Sequence, residues 1–288
     1  MKIDAYPAQE PASEGMIAYH RHLLELAKDL QGHEAQYGED PYQSITVFPA
    51  DRPSGKVLLF FHGGGWTNGY KEWMAFMAPA LNKLGITFAT AGYRLAPQHL
   101  FPAGLDDCAA ALAWLSNNVA RFGGDPGQLF IGGHSAGGHY ASLLGVNEQH
   151  RINRGLPALI RGCAPVSGVY YFGDDSGMSV RPRFLGAREL GNDELASPLL
   201  QLGEHACPFL ISYGENDFPH LILQAQQMAA ALQQREISVQ TLILPNCNHF
   251  TASYAAGEDN GTWPTRLNDW MQSVIDQPYL PTYPRSLQ

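Results

Sequence analysis

Short, uninterrupted apolar runs alternate along this chain with longer stretches in which apolar residues recur every three or four positions. The runs Ile45–Phe48, Val57–Phe61, Thr87–Ala91, Leu129–Gly132, Leu159–Pro165, Phe209–Tyr213 and Gln240–Leu244 read as strands. Between them, Glu72–Leu84, Leu105–Phe122, Gly137–Val146, Leu221–Arg235 and Thr265–Ile275 carry helical periodicity. Ser13–Leu30 reads as an amphipathic helix with Ser13 as N-cap and Ile17, Leu23, Leu24, Leu26, Ala27 and Leu30 on its apolar face. Strands apolar on both faces, alternating with helices, predict an α/β fold: a mostly parallel central sheet with helices on both sides. Ile45–Phe48 precedes the alternation without a helix before the next strand, so an antiparallel edge is expected there. Residues 168–202 lose the rhythm and carry Tyr170, Tyr171, Phe172, Asp174, Asp175 and Pro182. A connection of that length is expected to be functional, here a small cap inserted in one domain spanning 1–288. The Pro-containing end, 277–288, reads as a surface tail.

Composition fits this picture. Of 288 residues, 45% are hydrophobic and 16% charged, as in folded proteins. Lys and Arg number 18 against 27 Asp and Glu, a net charge of −9. That argues against nucleic acid or an anionic membrane as partner, since both select clustered cations. No apolar run approaches the roughly 20 residues of a membrane span. Met1–Pro7 lacks the apolar stretch of a secretory signal, so a soluble cytoplasmic protein is expected. Cys108, Cys163, Cys207 and Cys247 are far apart without a C-x-x-C pair, which predicts free thiols. Neither an H-E-x-x-H nor an H-x-H metal cluster is read in the chain, and neither a metal nor another cofactor is expected.

The chemistry concentrates in a few motifs. Gly133-His134-Ser135-Ala136-Gly137 is a G-x-S-x-G lying between an apolar strand and a helix start. This strand–turn–helix setting is that of a nucleophile elbow, with Ser135 on a strained turn and glycines where side chains would clash. His62-Gly63-Gly64-Gly65-Trp66 follows the strand Val57–Phe61. Bare glycine backbone can bring N–H groups within the roughly 2.7–3.1 Å that a developing oxyanion needs. Gly63 and Gly64, with the N–H of Ala136, are the expected oxyanion hole. A phosphate-cradling loop would need Lys-Ser/Thr or G-x-G-x-x-G, and neither is present. His62 reads as a residue that orients this loop.

A serine hydroxyl needs a base, and the base an orienting acid. An elbow fold predicts the order Ser…Asp/Glu…His. Phe209–Tyr213 runs into Gly214-Glu215-Asn216-Asp217, and Gln240–Leu244 into Pro245-Asn246-Cys247-Asn248-His249. Asp217 and His249 therefore fit acid and base, with Glu215 as the competing acid. His205, His220 and His139 read as structural or pocket-lining.

With these motifs the chain resembles the α/β-hydrolases. More narrowly, it resembles the hormone-sensitive-lipase-like esterases and their relatives, the kynurenine formamidases (arylformamidases). The shared stretches are the His-Gly-Gly-Gly-Trp loop, Tyr93–Pro97, Phe101–Asp107 and Phe122–Pro126, within a likeness covering about residues 40–275. Gly-His-Ser-Ala-Gly-Gly, Pro165–Tyr170, Ala196–Leu199, Asp217-Phe218-Pro219 and Asn248-His249-Phe250 are more similar to the formamidase branch. The resemblance implies an α/β-hydrolase fold and a Ser135–His249–Asp217 triad.

Trp66, Tyr70, Tyr170, Tyr171, Phe218 and Phe250 lie on loops expected to face the nucleophile. They suggest a flat aromatic substrate with a small acyl group. An aryl formamide leads, a carboxylesterase substrate (a short-chain or aryl ester or carbamate) is the alternative, and a non-catalytic small-molecule receptor comes third. The expected partner is thus a small aromatic amide or ester, with a homodimer as a further option.

Overall fold

The computed structural model describes residues 3–152, 156, 160–180 and 182–277, and within them eight strands hydrogen-bond into one sheet. They are β1 (His33–Gln36), β2 (Ser44–Phe48), β3 (Gly55–Phe61), β4 (Thr87–Ala91), β5 (Gly124–His134), β6 (Gly162–Val166), β7 (Phe209–Gly214) and β8 (Val239–Leu244). Their spatial order is β1-β2-β4-β3-β5-β6-β7-β8. From β4 to β8 the pairing is parallel; β1–β2 and β2–β4 are antiparallel. Ile45–Phe48 is thus antiparallel, as expected, but not the edge. His33–Gln36 covers it, too short and polar to announce itself as a strand, and β2 is buried along its whole length. Leu159, the expected start of β6, and the tail 278–288 lie outside the described residues.

The helices are α1 (Glu14–Ala27), α2 (Ala78–Lys83), α3 (Ala103–Asn118), α4 (Ala136–Val146), α5 (Glu148–Ile152), α6 (Asn192–Leu195), α7 (Pro219–Gln234), α8 (His249–Ala255) and α9 (Thr262–Asp276). Ser13 caps α1 by accepting the N–H of Met16. The helix expected over Glu72–Leu84 is instead a 3₁₀ segment, Lys71–Met77, followed by α2. Pro79 is the cause, since it lacks an N–H and its ring clashes with the carbonyl four residues back. Helical character over Leu105–Phe122 likewise divides, into α3 and a 3₁₀ turn that ends at Gly123 with φ +78°.

Period-two alternation along the strands splits the core between the two sheet faces. Val57, Leu59, Phe61 and Ile131 pack with α3, α4 and α7 on one side. Leu58, Phe60 and Phe130 pack with Tyr19 and Leu23 of α1, Leu81 of α2, and Trp263, Leu267 and Trp270 of α9 on the other. At about 25 cal/mol per Å² of apolar surface, these two layers are the main favourable term holding the sheet.

Parallel register then sets the functional edge. Phe61 pairs with Gly133, His134 with Val166, Val166 with Ser212, and Gly214 with Leu244. The segments carrying Gly63, Ser135, Asp217 and His249 therefore all leave the sheet at the carboxyl ends of its strands, where open α/β sheets place their ligands.

Candidate active site

Ser135 sits between β5 and α4 with φ +53° and ψ −117°, a conformation that costs about 1–3 kcal/mol for a non-glycine residue. The turn is held by the Ser135 N–H to Val166 O (3.0 Å) and the His139 N–H to Ser135 O (2.9 Å). Its glycines are required by space. A Cβ on Gly133 would lie 2.3 Å from the Gly137 carbonyl carbon, and one on Gly137 2.2 Å from Phe61 O. The result is a half-exposed hydroxyl at the start of a helix.

His249 opens α8 because Asn248 caps it: the Asn248 side chain accepts from the N–H groups of Phe250 and Thr251, and Thr251 Oγ1 accepts the Asn248 N–H. The spacing Asn248–Thr251 is a capping-box signal visible in the sequence, although no helix was expected there. Asp217 follows β7, its N–H bonded to Gly214 O at 3.1 Å. His249 Nε2 lies 3.0 Å from Ser135 Oγ, and His249 Nδ1 lies 2.9 Å from Asp217 Oδ1. A carboxylate only accepts, so Nδ1 carries the proton and Nε2 faces the serine hydroxyl as acceptor. Asp217 Oδ1 also accepts the Phe218 N–H at 2.7 Å. Burial of Asp217 opposes its ionisation, but the hydrogen bond it accepts from His249 and its electrostatic interaction with that imidazole prevail and hold the carboxyl below its ordinary value. Asp217 and His249 are only 5% and 9% exposed. Glu215 is turned elsewhere: it accepts the Asn246 N–H at 2.9 Å and stays in solvent.

The His62–Trp66 loop depends on positive φ: +118° at Gly64, +61° at Gly65 and +65° at Trp66. A Cβ on Gly63 would touch Ser135 Cβ at 3.2 Å, and one on Gly64 would collide with Asn68 O at 2.0 Å. Among the described residues, the N–H groups of Gly63, Gly64 and Gly65 have no intramolecular acceptor. His62 holds the loop from below. Its Nδ1–H donates to Gly63 O (2.7 Å), its ring stacks on Tyr93 at 4.2 Å, and the Tyr93 hydroxyl donates to His62 O (2.7 Å). Burial pushes the imidazole down to about 4, so it remains uncharged at neutral pH.

The six aromatic residues expected at the substrate do not share one fate. Phe218, 47% exposed, lies with its ring 4.9 Å from that of His249, and the half-buried Phe250 lies at 5.8 Å. Trp66 is 3% exposed and stacks on Phe184 of the β6–β7 connection at 4.3 Å, so its ring is core. Tyr170 is fully buried. Tyr70 packs on Tyr6 and Trp73 and lines a cleft of about 190 Å³ with Gln9, Met16 and Ile17, away from the triad. Tyr171 is half-buried, and its N–H, like that of Tyr170, donates to Gln224 Oε1. Large rings on adjoining loops gain more by burying against one another than by lining an open site, which is why Trp66 and Tyr170 turned inward.

Of two histidines beside the nucleophile, His139 is read from sequence as structural or pocket-lining, whereas nothing in the sequence singles out His134. His139 accepts the Trp66 indole N–H and donates to Ala196 O, while His134 reaches the backbone of His249. Both contacts join segments far apart in the chain, and no local pattern signals them. His20 and His22 have an H-x-H spacing, but on α1 they diverge. His20 accepts the Trp73 indole N–H (2.8 Å), whereas the His22 ring lies 4.5 Å from Tyr254.

A serine, imidazole and carboxylate in relay at the carboxyl edge of a parallel sheet are the arrangement that nucleophilic catalysis requires. The chain belongs to the alpha/beta hydrolase fold family, which it matches over residues 58–253. It is 33% identical over 156 residues to carboxylesterase NlhH of Mycobacterium tuberculosis, covering 50% of this chain and 49% of that protein. It is 30% identical over 234 residues to esterase LipC of the same organism, covering 74% of this chain and 58% of that one. The chain thus spans about half the length of the curated relatives it matches. An esterase from the archaeon Pyrobaculum calidifontis superposes with a TM-score of 0.73 at 19% identity, over 90% of this chain and 92% of that one, which shows the shared fold. No helix among the described residues is long and apolar enough to cross a membrane.

Proposed function

We propose that this chain is a serine carboxylesterase acting on small esters. The observation that carries the reading is one imidazole bridging the Ser135 hydroxyl (3.0 Å) and the Asp217 carboxylate (2.9 Å). Ser135 Oγ attacks the ester carbonyl while His249 Nε2 takes its proton. Asp217 holds the imidazolium that forms. The N–H groups of Gly63, Gly64 and Ala136 receive the oxyanion. His249 returns the proton to the departing alkoxide or phenoxide, leaving an acyl-serine. Water, deprotonated by His249, then releases the acid and restores Ser135.

Esters rank ahead of the aryl formamide that the motifs alone favoured, because the relatives NlhH and LipC carry esterase names. Phe218 and Phe250 beside the base still favour an aromatic leaving group. The test is hydrolysis of p-nitrophenyl acetate and butyrate beside an N-formyl arylamine, with wild type and Ser135→Ala. Ester turnover lost in the variant supports the reading. An unchanged rate in Ser135→Ala refutes it, and a kcat/KM higher on the formamide than on either ester restores the formamidase.

A further inference from the structure

His134, the residue before the nucleophile, points back across the site. Its Nε2 lies 2.9 Å from the main-chain oxygen of His249, and its ring centroid 4.8 Å from that of His249. A carbonyl oxygen only accepts, so Nε2 carries the proton and donates, leaving the Nδ1 lone pair toward Tyr19 of α1. The Tyr19 hydroxyl stands 3.4 Å from that Nδ1 and donates to Ser253 Oγ at 2.8 Å. His134, Tyr19 and Ser253 are all buried.

These contacts answer a mechanical need. The Asn248 cap fixes where α8 begins, but one cap leaves the helix free to rotate about its axis. Rotation would swing the His249 ring away from Ser135. His249 and Ser253 lie one turn apart on the same face of α8, and each is tied sideways, one by His134 and the other by Tyr19. We infer that His134 is a positioning residue for the base: by donating from Nε2 to the His249 carbonyl, it sets the rotation of α8 that brings the imidazole onto the Ser135 hydroxyl. The same ring meets the oxyanion loop, since a Cβ on Gly63 would lie 2.9 Å from His134 Nδ1. Burial, reinforced by the neighbouring His249, pushes His134 down to about 3, so it stays neutral while His249 takes up the proton.

This inference rests on the esterase reading, and its test keeps the two apart. An amide replaces one imidazole nitrogen at a time: Gln places its NH₂ near the position of Nε2, Asn near that of Nδ1. His134→Gln is expected to keep kcat within about threefold of wild type. His134→Asn should lower kcat by about 10- to 100-fold with KM little changed, as expected when a reacting group is misplaced by about 1 Å. Rates are taken per active serine, counted by fluorophosphonate labelling, so partial unfolding does not enter. Labelling of Ser135 should slow in His134→Asn by a similar factor. The inference is overturned if Asn and Gln behave alike, or if the loss falls on KM. A wild type inert to both ester and fluorophosphonate removes the esterase reading and this one with it. Normal wild-type turnover with an active His134→Asn removes this one alone.

Discussion

The indole N–H of Trp66 donates to His139 Nδ1 over 3.0 Å, and the two rings meet edge to face at 5.5 Å. His139 Nε2 in turn donates to Ala196 O at 2.7 Å. One imidazole thus pins the loop with the free glycine N–H groups to the first turn after the nucleophile and to the β6–β7 connection. Trp66→Phe keeps a ring but removes the donor. It should lower kcat about tenfold with KM nearly constant, and leaving His139 Nδ1 unpaired should cost about 1–3 kcal/mol of stability. Steady-state kinetics and urea unfolding of the same preparation check both.

Asp217 and Glu215 make opposite predictions. Asp217→Asn offers an amide where His249 Nδ1–H needs an acceptor, which favours the wrong tautomer and should reduce kcat by about 10³- to 10⁴-fold. Glu215→Gln keeps an acceptor for the Asn246 N–H and should leave kcat within about twofold, since Glu215 touches neither His249 nor Ser135. Comparing the two variants on one ester decides between the acids.

Burial pushes three histidines down, His62 to about 4 and His134 and His139 to about 3. In the unfolded chain each binds a proton near pH 6.5; folded, each stays neutral until far lower pH. The unfolded state therefore takes up more protons below about pH 6.5, and stability falls as pH drops toward 4. Each histidine contributes up to about 1.4 kcal/mol per pH unit across that window. Thermal melts at pH 7.5, 5.5 and 4.5 should show a steepening loss of Tm. A Tm constant down to pH 4.5 would contradict this account.

Lys71 is buried with its ammonium donating to Glu72 (2.6 Å), Glu34 (2.7 Å) and the Tyr6 hydroxyl (2.9 Å), and Glu72 is buried beside it. Lys71→Met would strand the Glu72 carboxylate without its counter-charge, at a cost of about 3–5 kcal/mol. Adding Glu72→Leu removes the stranded charge and should recover much of that loss. The midpoints of urea unfolding for the single and double variants test it.

Much of this protein was legible along the chain. The strands at Val57–Phe61, Thr87–Ala91 and Phe209–Tyr213 are written in short apolar runs. The elbow at Ser135, the glycine loop after His62 and the order of Ser135, Asp217 and His249 are likewise local patterns, because tight turns and close backbone approach admit few residue types. Only the tertiary structure decided the rest. That His33–Gln36 covers β2, that Trp66 and Tyr170 turn into the core, and that Tyr19, His134 and His249 meet behind the nucleophile all depend on surfaces contributed by segments remote in sequence. Periodicity reports which face of an element is apolar, but which partner covers that face is settled by packing across the whole chain.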